Sequence, residues 1–142
     1  MRTLFTGTLF TAICAASMAL SGTAIAGEKA QAEGEAKLAK LLEGRVAGKP
    51  VSCIPQRMLE SSTTIDGTAI VYRSGRRLYV NRPRSGADSL DSDQILVTRL
   101  TGSELCNIDT VKLVDRSSGF PEGFVILGDF VPYERVKPTP AM

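Results

Sequence analysis

Five arginines, Arg73, Arg76, Arg77, Arg82 and Arg84, crowd one short segment, and no acidic residue interrupts the chain between Asp66 and Asp88. A guanidinium is a planar fork that grips phosphate or carboxylate bidentately, so this run with Tyr72 and Tyr79 interleaved suggests an anion or partner site. Its centre would be Arg77, Tyr72 and Tyr79, with Arg73 and Arg76 beside them. The competing reading is a solvated hairpin, with Arg82 and Arg84 neutralised by Asp88, Asp91 and Asp93 through ion pairs of little energetic weight. Other chemistry is scarce. The chain has no histidine, which removes Ser-His, Cys-His and His-metal mechanisms. Cys53 and Cys106 form no C-x-x-C pair. Asp109, Asp115, Glu122 and Asp129 remain for carboxylate catalysis, but no spacing sets them apart from surface acids. Asp88, Asp91 and Asp93 do not make a calcium loop, because the twelfth place counted from Asp88 is Arg99 rather than a glutamate. Neither metal nor cofactor is expected.

The elements that must carry these residues begin after an address. Residues 1–26 open with Arg2, run through an apolar stretch, and end in Ala24-Ile25-Ala26, the pattern of a secretory signal peptide cut before Gly27. The apolar run is too broken by Thr, Ser and Gly for a permanent span, so the mature chain is expected to lack a transmembrane segment. Cutting there leaves about 116 residues, enough for one domain. Near-neutral charge argues against a nucleic-acid binder. Two remaining cysteines in an exported chain predict a Cys53–Cys106 disulfide, worth up to roughly 4 kcal/mol on the chain-entropy account.

Residues 27–44 read as a helical lead-in, with Leu38, Leu41 and Leu42 at helical spacing, Gly34 weakening the first half, and order expected mainly from Glu35 onward. The β domain spans 45–133. Its centre is a meander with turns at Asp66-Gly67 and Ser74-Gly75. A two-residue Ser74-Gly75 loop pairs Val71 with Leu78 and Tyr72 with Arg77. Ala69, Val71, Leu78 and Val80 then face the core, while Ile70, Tyr72, Arg77 and Tyr79 form an amphipathic face that is wet, covers a second layer, or meets a partner. A polar loop follows Arg82. Further strands are expected over 94–100, over 104–114 with a break near Asn107, and over 123–131 as one strand buried on both faces, bulged or bent at Gly128. The tail, 134–142, is expected to be flexible. About six short strands imply a mainly β fold, a small antiparallel sandwich or partly open barrel with an N-terminal helix and one disulfide.

The segments GRVAGKPVSC, IDGTAIVYRSGRRLYVNRPRSGA and SGFPEGFVILGDFVPY together resemble a group of small uncharacterised exported proteins of Gram-negative bacteria. That resemblance, over residues 44–133, implies export and assigns no site. The sequence thus predicts a periplasmic or secreted, non-enzymatic binding or envelope-associated module whose partner is an envelope component or protein, an anionic one among the candidates. The alternative is a small carboxylate-based hydrolase or an inhibitor of one.

Overall fold

The computed structural model describes residues 24–136. The signal-peptide reading falls almost wholly on residues outside that range. One helix, α1 (Ala24–Leu41), precedes ten strands: β1 (Arg45–Ala47), β2 (Cys53–Pro55), β3 (Ser61–Ile65), β4 (Ala69–Ser74), β5 (Arg77–Asn81), β6 (Gln94–Thr98), β7 (Glu104–Cys106), β8 (Thr110–Asp115), β9 (Pro121–Ile126) and β10 (Phe130–Arg135). All pairings are antiparallel and the sheets stay open: five strands in the order β1-β10-β5-β4-β3, three in the order β6-β8-β9, and the ribbon β2-β7. The mainly β expectation holds. Ten strands replace about six because three-residue strands carry little compositional signal and two expected strands are each divided.

The five-stranded sheet is the middle layer, and alternation along β4 explains why. Ala69 and Val71, with Leu78 and Val80 of β5, point one way and meet Leu38 of α1, with Leu41, Leu42 and Tyr133 at the margin. Ile70 and Tyr72 point the other way, into a core shared with Ile54 and Leu105 of the ribbon, Val111, Leu113 and Val125 of the three-stranded sheet, and Leu127 and Phe130. A strand apolar on both faces needs a cover on each. The helix therefore does not merely lead in; it closes one face.

Gly34 does not fray α1. It is buried, and a Cβ there would lie 1.9 Å from Thr68 Oγ1 and 2.6 Å from the Asp66 carbonyl. Glycine is present because helix and hairpin backbones touch, and the helix runs unbroken from Ala24, upstream of the expected cut. Ion pairs Lys37–Asp66 (2.7 Å) and Glu35–Arg82 tie the same half of α1 to the sheet.

Residues 123–131 are not one strand. β9 belongs to the three-stranded sheet and β10 to the five-stranded one, and the chain changes sheet at 127–129. At this corner the buried Asn81 amide donates to the Gly128 carbonyl (2.6 Å) and accepts from the Gly128 amide (3.1 Å), so both polar groups of the turn are satisfied. A Cβ on Gly128 would sit 2.3 Å from the Arg82 carbonyl. With the strand divided, Phe124 lies on the outer face of β9 and is exposed, contrary to a strand buried on both sides. β10 continues to Arg135, past the expected domain end at 133.

The disulfide joins Cys53 and Cys106, which face each other directly across β2 and β7. It fastens the ribbon whose Ile54 and Leu105 plug the core. Among the described residues no helix is long and apolar enough to cross a membrane.

Candidate anion-binding site

Where the arginines point is set by the hairpin register. The turn after β4 is centred on Gly75-Arg76 rather than Ser74-Gly75, so Val71 pairs with Val80, Tyr72 with Tyr79 and Ser74 with Arg77. Gly75 takes a positive φ of 56°, which the tight reversal requires. Each partner has moved by two places, an even shift, so the two face sets predicted from alternation survive although every predicted pair is replaced. The Asp66-Gly67 turn forms with Thr68 as an extra residue, its amide donating to the Ile65 carbonyl at 3.0 Å.

The face carrying Ile70, Tyr72, Arg77 and Tyr79 covers the second layer instead of lying open. Tyr72 is only 6% exposed, packs edge-on to Phe130 at 5.9 Å between ring centroids, and has no partner for its hydroxyl. Burial pushes its phenol far above the usual tyrosine range. An orphaned hydroxyl of this kind costs about 1–3 kcal/mol. Tyr79 is half-buried against the same core. Arg77 is exposed at the margin, where one guanidinium nitrogen meets the Tyr79 hydroxyl (3.2 Å) and another pairs with Glu134, the carbon lying 5.9 Å from the Tyr79 ring centre. Tyr79 and Glu134 both hold the guanidinium charged. The predicted centre Arg77-Tyr72-Tyr79 is thus one buried ring, one half-buried ring and one neutralised charge.

Arg82 and Arg84 are satisfied too, though not by the aspartates expected. Arg82 forks onto Glu35 of α1, with Nη2 to Oε2 at 2.9 Å. Arg84 donates to the carbonyls of Leu127 (3.0 Å) and Asn107 (2.7 Å), bracing the corner where the chain changes sheet. Asp66, not the polar loop, receives Lys37 and the Ser92 amide. Lys37 is the main reason its carboxyl is held below the ordinary range, against an opposing effect of burial.

The remaining two arginines gather with two that the sequence reading passed over. Arg45 at the start of β1 lies directly opposite Arg135 at the end of β10. Since Leu78 pairs with both Tyr133 and Arg73, alternation puts Arg73, Tyr133, Arg135 and Arg45 on the helix-side face, at the end of the sheet beyond the C-terminus of α1. Arg45 Nη1 donates to the Arg76 carbonyl at 2.7 Å, which brings the β4–β5 turn into the group. Burial first, then the charges of Arg135 and Arg73, lower the Arg45 pKa. Among the described residues none of these four arginines has a carboxylate partner; the three ion pairs there are Lys37–Asp66, Arg77–Glu134 and Arg82–Glu35. Like charges placed opposite each other in a sheet repel. An oxyanion at this end would relieve that repulsion and receive several N–H donors.

The signal missed in the sequence was register: Arg45 and Arg135 are far from the meander in the chain and meet it only through β1 and β10.

The acids are placed for structure. Asp109 accepts the Cys106 amide (2.7 Å), and Asp115 accepts the amides of Ser117 and Ser118 and the Ser118 hydroxyl. Glu122 accepts the Gln94 side chain (2.8 Å), and Asp129 that of Asn107 (2.6 Å). Among the described residues Glu104 groups with the two cysteine sulfurs, which are joined to each other. Comparison with protein-family models, curated proteins and solved structures finds no match for this chain.

Proposed function

We propose that the protein is a non-enzymatic, exported binding module that recognises a phosphate- or carboxylate-bearing envelope component through Arg45, Arg73, Arg76 and Arg135. The observation that carries this reading is the like-charged pair Arg45–Arg135 with Arg73 on the same face and Arg76 held beside it. The earlier centre on Arg77, Tyr72 and Tyr79 moves to the opposite face of the sheet, because Arg77 has Glu134 and the tyrosines belong to the core. Export is supported by the pattern of residues 1–26 and by a disulfide, which persists in oxidising compartments. Binding is favoured over hydrolysis because Asp109, Asp115, Glu122 and Asp129 each hold a local turn or side chain.

The test is co-sedimentation with phosphatidylglycerol vesicles, with phosphatidylcholine vesicles as the neutral control and free inorganic phosphate as competitor. Wild type is expected to sediment with the anionic vesicles and to be released by salt. Arg45→Gln/Arg73→Gln/Arg135→Gln is expected to stay in solution with its fold intact, whereas Arg77→Gln binds as wild type. Equal binding by the triple variant overturns the proposal.

A further inference from the structure

A second feature lies on the other face of the five-stranded sheet, at the end that also carries Arg73 and the β4–β5 turn. Between the edge strand β3 and the strands β6 and β7 is an open cavity of about 230 Å³. Its apolar lining is Leu59, Leu100, Leu105 and Tyr72; its polar lining includes Thr98, the serines that open β3, and Glu60. No basic side chain lines it.

Two features set this cavity apart from a surface dimple. Tyr72 is more than nine-tenths buried, and its hydroxyl is the one buried side-chain polar atom among the described residues that has no hydrogen-bond partner. Buried polar groups are almost always paired, and Tyr72 lines this cavity, so a molecule bound here is the nearest candidate to supply the missing partner. Glu60 in turn is fixed at the rim, because its Oε1 accepts the Gly75 amide (3.2 Å) and its backbone amide donates to the Arg73 carbonyl (2.9 Å). An acid held at the mouth of an apolar, aromatic-lined recess, with no basic side chain in the lining although Arg73 lies across the strand pair, selects for positive charge within the recess.

We propose that this cavity binds a small aryl- or alkylamine, with its apolar body against Leu59, Leu100, Leu105 and Tyr72, its ammonium at Glu60, and a hydrogen bond to the Tyr72 hydroxyl. The recess is smaller than a drug-sized site, which limits the ligand to a compact molecule. This site is independent of the anion-binding reading: it has the opposite charge preference and lies on the opposite face, so either fails without the other.

The experiment is an amide-resolved NMR titration of the disulfide-bonded protein with 2-phenylethylamine, 2-phenylethanol and phenylacetate in parallel. Saturable shifts at Ser61, Ser62, Thr98 and Leu105, tightest for the amine and weakest for the carboxylate, are the expected result. Glu60→Gln should remove the preference of amine over alcohol. Tyr72→Phe should keep the fold and weaken amine binding about tenfold. Leu100→Trp, which fills the recess from its rim, should abolish the shifts and covers the case in which Tyr72→Phe fails to fold. No saturable shift with any probe, any other order of affinity, or amine shifts unchanged in Leu100→Trp overturns the proposal.

Discussion

Replacing Gly34 by alanine sets two effects of opposite sign against each other. In a free helix the change stabilises by about 1 kcal/mol, because glycine loses more backbone entropy on folding than alanine. Here the new Cβ would stand 1.9 Å from Thr68 Oγ1 and 2.6 Å from the Asp66 carbonyl oxygen. Ordinary contact is about 3.5 Å, so α1 would have to retreat by roughly 1 Å. Thr68 can rotate its hydroxyl aside only by giving up its 2.9 Å bond to the Asp66 carbonyl, and the carbonyl itself cannot rotate away. Retreat would also loosen Leu38, which is 2% exposed against Val71, Leu78 and Val80. Overpacking of this kind costs about 1–3 kcal/mol. Set against the propensity gain of about 1 kcal/mol, the net expectation is a loss of up to about 2 kcal/mol, read as a lower urea midpoint by far-UV circular dichroism at unchanged m-value. Adding Thr68→Ala should recover only part of the loss, since the Asp66 carbonyl remains. A rise in stability of about 1 kcal/mol for Gly34→Ala would refute the docking of α1 onto the hairpin.

Three further outcomes follow from the packing. Asn81→Ala removes both hydrogen bonds to Gly128 and leaves a buried amide and carbonyl unpaired, so a loss of about 3 kcal/mol in chemical denaturation is expected; a change below about 1 kcal/mol would contradict the corner clamp. Cys53→Ser/Cys106→Ser releases a link with a sequence separation of 53, and the urea midpoint should fall by the equivalent of up to about 4 kcal/mol, whereas an unchanged midpoint would show that the ribbon needs no staple. Asp66 and Glu35 have carboxyls held below their ordinary values chiefly by Lys37 and Arg82, so their contribution is complete above the usual carboxylate range near pH ~4 and is lost as pH falls through the lower folded values. Amide exchange in α1 should therefore accelerate below about pH 4 before exchange in β4 and β5 does, and Asp66→Asn/Glu35→Gln should abolish that difference.

The sequence revealed most where one residue type decides a local structure. Asp66-Gly67 and Gly75 placed both reversals of the meander, alternation sorted Ala69, Val71, Leu78 and Val80 from Ile70 and Tyr72, and two cysteines in an exported pattern predicted the bridge. It revealed least where the cause is remote. Gly34 looks like a helix breaker until Thr68 is seen against it, and the change of sheet at Gly128 depends on Asn81 from another strand. Both faces of β4 are apolar, but which one meets a helix and which a second sheet is fixed by where α1 and β8 return in space. The same holds for the candidate site. Arg73 and Arg77 lie close in the chain yet fall on opposite faces, and Glu134, which neutralises Arg77, arrives only with β10. Arg45 and Arg135 come together because β1 pairs with β10, a pairing that the three-residue β1 does not announce.

Because the two faces of the sheet carry different candidate charges, the position of a bound anion discriminates between them. The most direct measurement is an amide and arginine-Nε NMR titration of the protein with pyrophosphate at low salt. Saturable shifts confined to Arg45, Arg73, Arg76, Arg135 and their neighbours, lost on Arg45→Gln/Arg135→Gln, are the predicted result. Shifts centred on Arg77 and Tyr79, or none that saturate, would contradict recognition by the helix-side arginines.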